Sequence, residues 1–182
     1  QFIFYFAGHG KDVEENNKKI GYLITYDAKL NDIPKTALST IELLEILKLL
    51  KSNQKLVVLD ACYSGLILKT RLSGQDDNSK NKLQYYRLLS SKPVIQILTA
   101  GASDQKALEY NDHGLFTNFF LKSLDGFADY DSDNILTAKE IIQYVQKNVS
   151  EQAYILGGFK QFPQDGRIGE GEFIIPLNNI NS

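Results

Sequence analysis

Lys55–Gly65, KLVVLDACYSG, constrains this chain more than any other stretch. Leu56–Asp60 is an apolar run closed by an acid, the pattern of a strand buried on both faces. Ala61, Cys62, Tyr63, Ser64 and Gly65 follow, small residues for the most part around the only cysteine of the chain. A buried strand of this kind belongs to a parallel sheet. In open α/β folds the carboxyl edge of such a sheet is where ligands are held. A thiol there is placed to act as a nucleophile.

A second apolar run, Phe2–Ala7 (FIFYFA), ends in Gly8-His9-Gly10, which puts His9 53 positions before Cys62. If both runs are central strands of one parallel sheet, His9 and Cys62 meet at the same edge. Between them Ser39-x-x-Glu42 reads as a capping box opening an amphipathic helix to Leu50, with Ile41, Leu44, Leu47 and Leu50 on one stripe. Strand, helix, strand is a βαβ unit, for which a right-handed crossover is expected. The chain begins at Gln1 directly in a strand, so N-terminal strands are expected to be missing from it.

Composition narrows the class. At 182 residues with 43% hydrophobic and 23% charged residues, the chain is sized for one globular domain, 1–182. A net charge of -2 gives no broad basic surface for nucleic acid. No run approaches the roughly 18 apolar residues of a membrane span. One Cys excludes an internal disulfide, argues against a cysteine-based zinc site and fits a reducing, cytoplasmic compartment.

Along the rest of the chain, Lys11–Lys19 reads as a polar loop and Gly21–Asp27 as a short strand or hairpin arm. Ser73–Lys82 (SGQDDNSKNK) is low in complexity and reads as an exposed loop, the centre of a linker over residues 70–92. Val94–Ala100 is a third strand, Leu115–Leu124 a helix and Phe127–Asn134 an acidic loop. Thr137–Val149 is a further helix and Glu172–Leu177 a last strand, while Gly157-Gly158 and Gly166–Gly171 read as loops. His113, just before a helix, reads as structural.

The chemistry centres on His9 and Cys62. The thiolate is the reactive form of cysteine, and a neighbouring imidazole with helix-start N–H groups favours it. The Gly10 and Cys62 N–H groups are candidates for an oxyanion hole. Asp60 is not assigned as the orienter of His9, and no third member of a triad is identified. Taken singly, Cys62 could be a small core residue and His9 a turn residue; the pairing of the two motifs is what carries the functional reading.

FYFAGHG followed by LDACYSG resembles the catalytic core of the caspase/metacaspase-like cysteine peptidases, nearer the metacaspase-type and bacterial caspase-like branch than animal caspases. The separation of His and Cys is similar to the about 50 residues of caspases. The resemblance implies a caspase-hemoglobinase α/β sandwich with a mostly parallel sheet. It also implies a His9–Cys62 dyad, hydrolysis of protein or peptide substrates, and no required cofactor. Asp60-Ala61-Cys62 resembles the Asp-x-Cys of metacaspases, which implies that Asp60 lines the S1 pocket and selects Arg or Lys; Asp104 is similar to a second acid bordering that pocket. Self-processing within the basic-flanked 70–92 segment is a further expectation. The alternative is a catalytically inactive caspase-fold scaffold or calcium-responsive interaction module.

Asp129-x-Asp131-x-Asp133-Asn134-Ile135 through Glu140 has the spacing of an EF-hand loop, with Asn where Gly is usual. Asp129, Asp131, Asp133, the Ile135 carbonyl and Glu140 are then the candidate calcium ligands. The competing reading is that Thr137-x-x-Glu140 is a capping box and the aspartates merely favour a helix N-terminus.

Overall fold

The structure, a computed structural model, describes residues 1–62, 82–101, 108–110 and 113–177. In chain order the elements are β1 (Phe2–Ala7), β2 (His9–Glu15), β3 (Lys18–Ile24), α1 (Ile33–Thr36), β4 (Leu38–Ser39), α2 (Thr40–Leu49) and β5 (Gln54–Cys62). Then come α3 (Lys82–Ser91), β6 (Val94–Gly101), β7 (Glu109–Tyr110), β8 (His113–Gly114) and α4 (Leu115–Lys122). A π-helical turn, Ser123–Phe127, follows, then β9 (Ile135–Thr137), α5 (Ala138–Ile155), β10 (Gln164–Gly169) and β11 (Ile174–Pro176).

The main sheet has the order β1-β5-β6-β10, parallel at β1·β5 and β5·β6 and antiparallel at β10. Strand β5 is central because Leu56–Leu59 are apolar to both sides. Leu56 and Val58, with Leu98 and Ala100 of β6, face α4 and α5 through Leu115, Phe116, Phe120, Ile141 and Val145. Val57 and Leu59, with Ile95 and Ile97, face Leu43 and Leu47 of α2 and Leu23 of β3. Every one of these residues is buried, the doubly covered state that the unbroken apolar run requires.

Several expectations change. Phe2–Ala7 is a strand, but it is the outer strand of the described sheet rather than a central one, and Ile3 and Tyr5 are 45% and 43% exposed. Lys11–Lys19 is no loop: β2 and β3 form a hairpin that turns on Asn16 and Asn17, both left-handed at φ 51° and 61°. Asparagine pairs favour that turn, whose twist matches the flanking strands. In α2 the Ser39 hydroxyl accepts from the Glu42 N–H as anticipated. The buried stripe, however, is Thr40, Leu43 and Leu47, and Ile41 is 55% exposed. Helix α5 carries the full Thr137–Glu140 capping box and runs on to Ile155.

Of the expected 70–92 linker, residues 70–81 lie outside the described residues and Lys82–Ser91 form α3. Gly166–Gly171, expected as loop, contains most of β10, whose ladder partner is β6. Its end needs glycine. Gly169 lies at φ +96°, and a Cβ at Gly171 would stand 2.0 Å from the Lys92 carbonyl oxygen, so no side chain fits against the turn into β6.

Candidate active site

The candidate site lies at the carboxyl ends of β1 and β5. Ala7 pairs with Asp60 as the last rung of the parallel ladder, and the Gly8 N–H donates to the Asp60 carbonyl at 3.1 Å. His9 therefore lies two residues past this rung on one strand and Cys62 two residues past it on the next. His9 opens β2 with its side chain exposed, opposite Ile24, and Gly10 pairs with Leu23. A register shift in β5 between Leu59 and Cys62 breaks the simple alternation of side chains just before the cysteine, and Cys62 pairs with Gly101 of β6. Bulges of this kind re-aim a strand at functional edges.

Asp60 projects toward α4. The Thr117 hydroxyl donates to its Oδ2, the Tyr5 hydroxyl lies 2.7 Å from Thr117 Oγ1, and Gly114 packs so near that a Cβ there would come 2.8 Å from Oδ2. Tyr5 is further held by stacking on Phe120, with ring centroids 6.2 Å apart. Neither Thr117 nor Tyr5 stands out in the sequence, since a lone hydroxyl in LFTNFF and an aromatic in FIFYFA read as helix and strand filler. Asp104 lies outside the described residues. His113 sits in β8, just before α4.

The acidic loop occupies the other end of α4, beyond the π turn. Carboxylate oxygens of Asp129, Asp131 and Asp133 lie within 4.8 Å of one another, and Asn134 adopts φ 60°, the left-handed geometry its position demands. The Ile135 N–H donates to Asp133, and Glu140 is engaged by the Thr137 N–H at 2.9 Å and by the Thr137 hydroxyl at 2.8 Å. A positive charge from the protein itself reaches the cluster. The Lys82 ammonium, at the start of α3, pairs with Asp131 and lies 2.9 Å from Asp133, which also accepts from Tyr86 at 3.2 Å.

Burial alone would push the Asp133 carboxyl up, but bonds from Lys82, the Ile135 N–H and Tyr86 outweigh it and hold its pKa below the ordinary 3.8. The bond to Asp131 and then that to Asp133 raise Lys82 above 10.5, while Glu140 is raised, mainly by burial. The stabilisation from this pairing is present above pH 3.8 and is lost as pH falls through the lowered Asp133 value. At the alkaline end it is present below 10.5 and fades as pH rises through the raised Lys82 value. Lys82 and Asp131 are both more than 40% exposed, so solvent screens much of the attraction. Lys82→Met is expected to cost about 0.5 kcal/mol near neutrality. In urea unfolding the difference from wild type should disappear in strong acid; a difference that persisted there would discount the ion pair.

A mostly parallel sheet with helices on both faces fits an α/β sandwich of the caspase type. The caspase domain family model matches residues 1–167, and the chain belongs to that family. No curated protein matches it. Among solved structures it is similar to protein GSU0716 from Geobacter sulfurreducens, at 16% identity and a TM-score of 0.51. That match covers 91% of this chain and 64% of the other, a likeness of fold. No helix among the described residues is long and apolar enough to cross a membrane.

Proposed function

We propose that this domain is a cysteine endopeptidase that cuts peptide bonds after Arg or Lys. One observation carries the reading: parallel β1 and β5 share the Ala7–Asp60 rung, and the chain places His9 two residues past it on one side and Cys62 two residues past it on the other. In this reading His9 takes the thiol proton, and the Cys62 sulfur attacks the scissile carbonyl carbon. The tetrahedral oxyanion is met by the Cys62 and Gly10 N–H groups. Collapse expels the amine, which takes its proton from His9, and leaves an acyl-enzyme that water hydrolyses with His9 as base. Asp60 pairs with the cationic P1 side chain, where charge complementarity discriminates against acidic residues. Self-processing within 70–92 belongs to the same proposal.

Calcium, if it binds the Asp129–Asp133 cluster, does so against Lys82. The three carboxylates suit an oxygen-seeking cation, but Lys82 already supplies positive charge to two of them and Glu140 is committed to its cap. The ion would add charge neutralisation between α3 and the loop.

The test is hydrolysis of fluorogenic peptides carrying Arg, Lys or Asp at P1, with and without calcium. Turnover on Arg and Lys but not Asp is expected. Cleavage after Asp would overturn the pocket assignment, and no turnover by folded protein would leave an inactive caspase-fold scaffold.

A further inference from the structure

Asp60 is held from behind by groups that nothing in the catalytic scheme uses. Its Oδ2 accepts the Thr117 hydroxyl. That hydroxyl has a single proton, so its remaining contact, with the Tyr5 hydroxyl at 2.7 Å, must be one in which Tyr5 donates. The result is a directed chain: Tyr5 O–H to Thr117 Oγ1, Thr117 O–H to Asp60 Oδ2. Donors in series polarise one another and strengthen the terminal bond. Residues 5, 60 and 117 come from β1, β5 and α4, and the Tyr5–Phe120 stack fixes the outer end.

Gly114 completes the seat. Its backbone, φ -59° and ψ 141°, suits any residue, so conformation does not require glycine there. Space does: a Cβ would stand 2.8 Å from Asp60 Oδ2 and 3.6 Å from its Cγ.

We propose that Thr117, oriented by Tyr5, is the positioning residue for the Asp60 carboxylate, and that the bare Gly114 backbone leaves the space in which that carboxylate is aligned to a planar P1 guanidinium. The inference rests on the reading of Asp60 as the P1 recognition residue. A fixed carboxylate plane matters most to arginine. Its guanidinium presents paired donors in a rigid fork, whereas the lysine ammonium is a compact point charge that follows a carboxylate in several orientations. Loss of the seat should therefore damage Arg recognition more than Lys recognition.

The experiment compares kcat and KM for matched P1-Arg and P1-Lys peptides in the intact protein and in Thr117→Val, Thr117→Ser, Tyr5→Phe, Gly114→Ala and Asp60→Asn. For Thr117→Val and Gly114→Ala, kcat/KM on Arg should fall about tenfold, mainly through KM, and on Lys by less than about threefold. Tyr5→Phe should act in the same direction more weakly, and Thr117→Ser should restore wild-type selectivity. Where turnover is too slow to measure, Cys62 alkylation by peptidyl-Arg and peptidyl-Lys chloromethyl ketones is read relative to iodoacetamide, which needs no P1 pocket. The same Arg-selective loss is expected.

Equal losses on Arg and Lys, or failure of Thr117→Ser to restore the ratio, would make the contact purely structural and overturn the inference while Asp60 keeps its role. Asp60→Asn with unchanged P1 preference would remove the pocket reading itself, and the inference with it. An Arg ketone no faster than iodoacetamide on folded wild-type protein would do the same.

Discussion

Cys62→Ala is expected to lower hydrolysis of P1-Arg and P1-Lys peptides by about 10⁴-fold or more, to the level that binding and oxyanion stabilisation alone provide. The thermal midpoint should scarcely move, because the core of β5 is Leu56–Leu59 and the substitution falls beyond the last rung shared with β1. His9→Ala should cost a comparable factor, and the double variant little more than either single one, since a nucleophile and its base act as a unit. Additive losses would show that the two residues contribute separately and that a dyad is the wrong description. Steady-state assays on the four proteins decide this.

Phe116→Ala should produce the largest loss of stability. Phe116, on α4, is fully buried in the core cluster that also holds Leu56 and Val58 of β5, Leu98 of β6 and Ile141 of α5. Truncating it removes its transfer free energy and leaves a cavity that close-packed neighbours fill only in part. About 3–5 kcal/mol is expected, a fall in Tm of about 10 °C for a domain of this size. Urea unfolding measures it directly. A loss below about 1 kcal/mol would mean that α4 repacks onto the sheet, contrary to the rigidity the cores imply. The same helix seats Thr117, so the variant should also blunt activity through Asp60.

What could be read ahead of the structure was local. Leu56–Asp60 and Val94–Ala100 were legible as strands because short, largely apolar, β-branched-rich stretches suit a sheet covered on both faces, and the parallel β1·β5 pairing followed from two apolar runs leading into reactive residues. The Ser39 and Thr137 helix starts were legible from capping chemistry within four residues. The hairpin of β2 and β3 was hidden because Lys11–Lys19 is nearly all polar, though Asn16-Asn17 between Val13 and Ile20 was the available signal. Strand β10 carries two glycines and little apolar character, and it is a strand because β6 offers it a ladder. The Thr117–Asp60 contact joins residues 57 positions apart, and neither helix nor strand periodicity links positions so distant. Lys82 looked like the tail of a solvated loop and is instead the cation that meets the acidic cluster.

The main sheet also acts as a partition. Leu56, Val58 and Leu98 belong to one apolar compartment, and Val57, Leu59 and Ile97 to the other. Among the described residues the backbones of β5 and β6 separate the two, so a volume change on one side is passed to the other through strands that hydrogen bonds hold on both edges. Sequence drift beneath α2 and beneath α4 and α5 can then accumulate independently, with compensation confined to each side. The residues at the strand ends inherit a floor whose position depends on neither compartment alone.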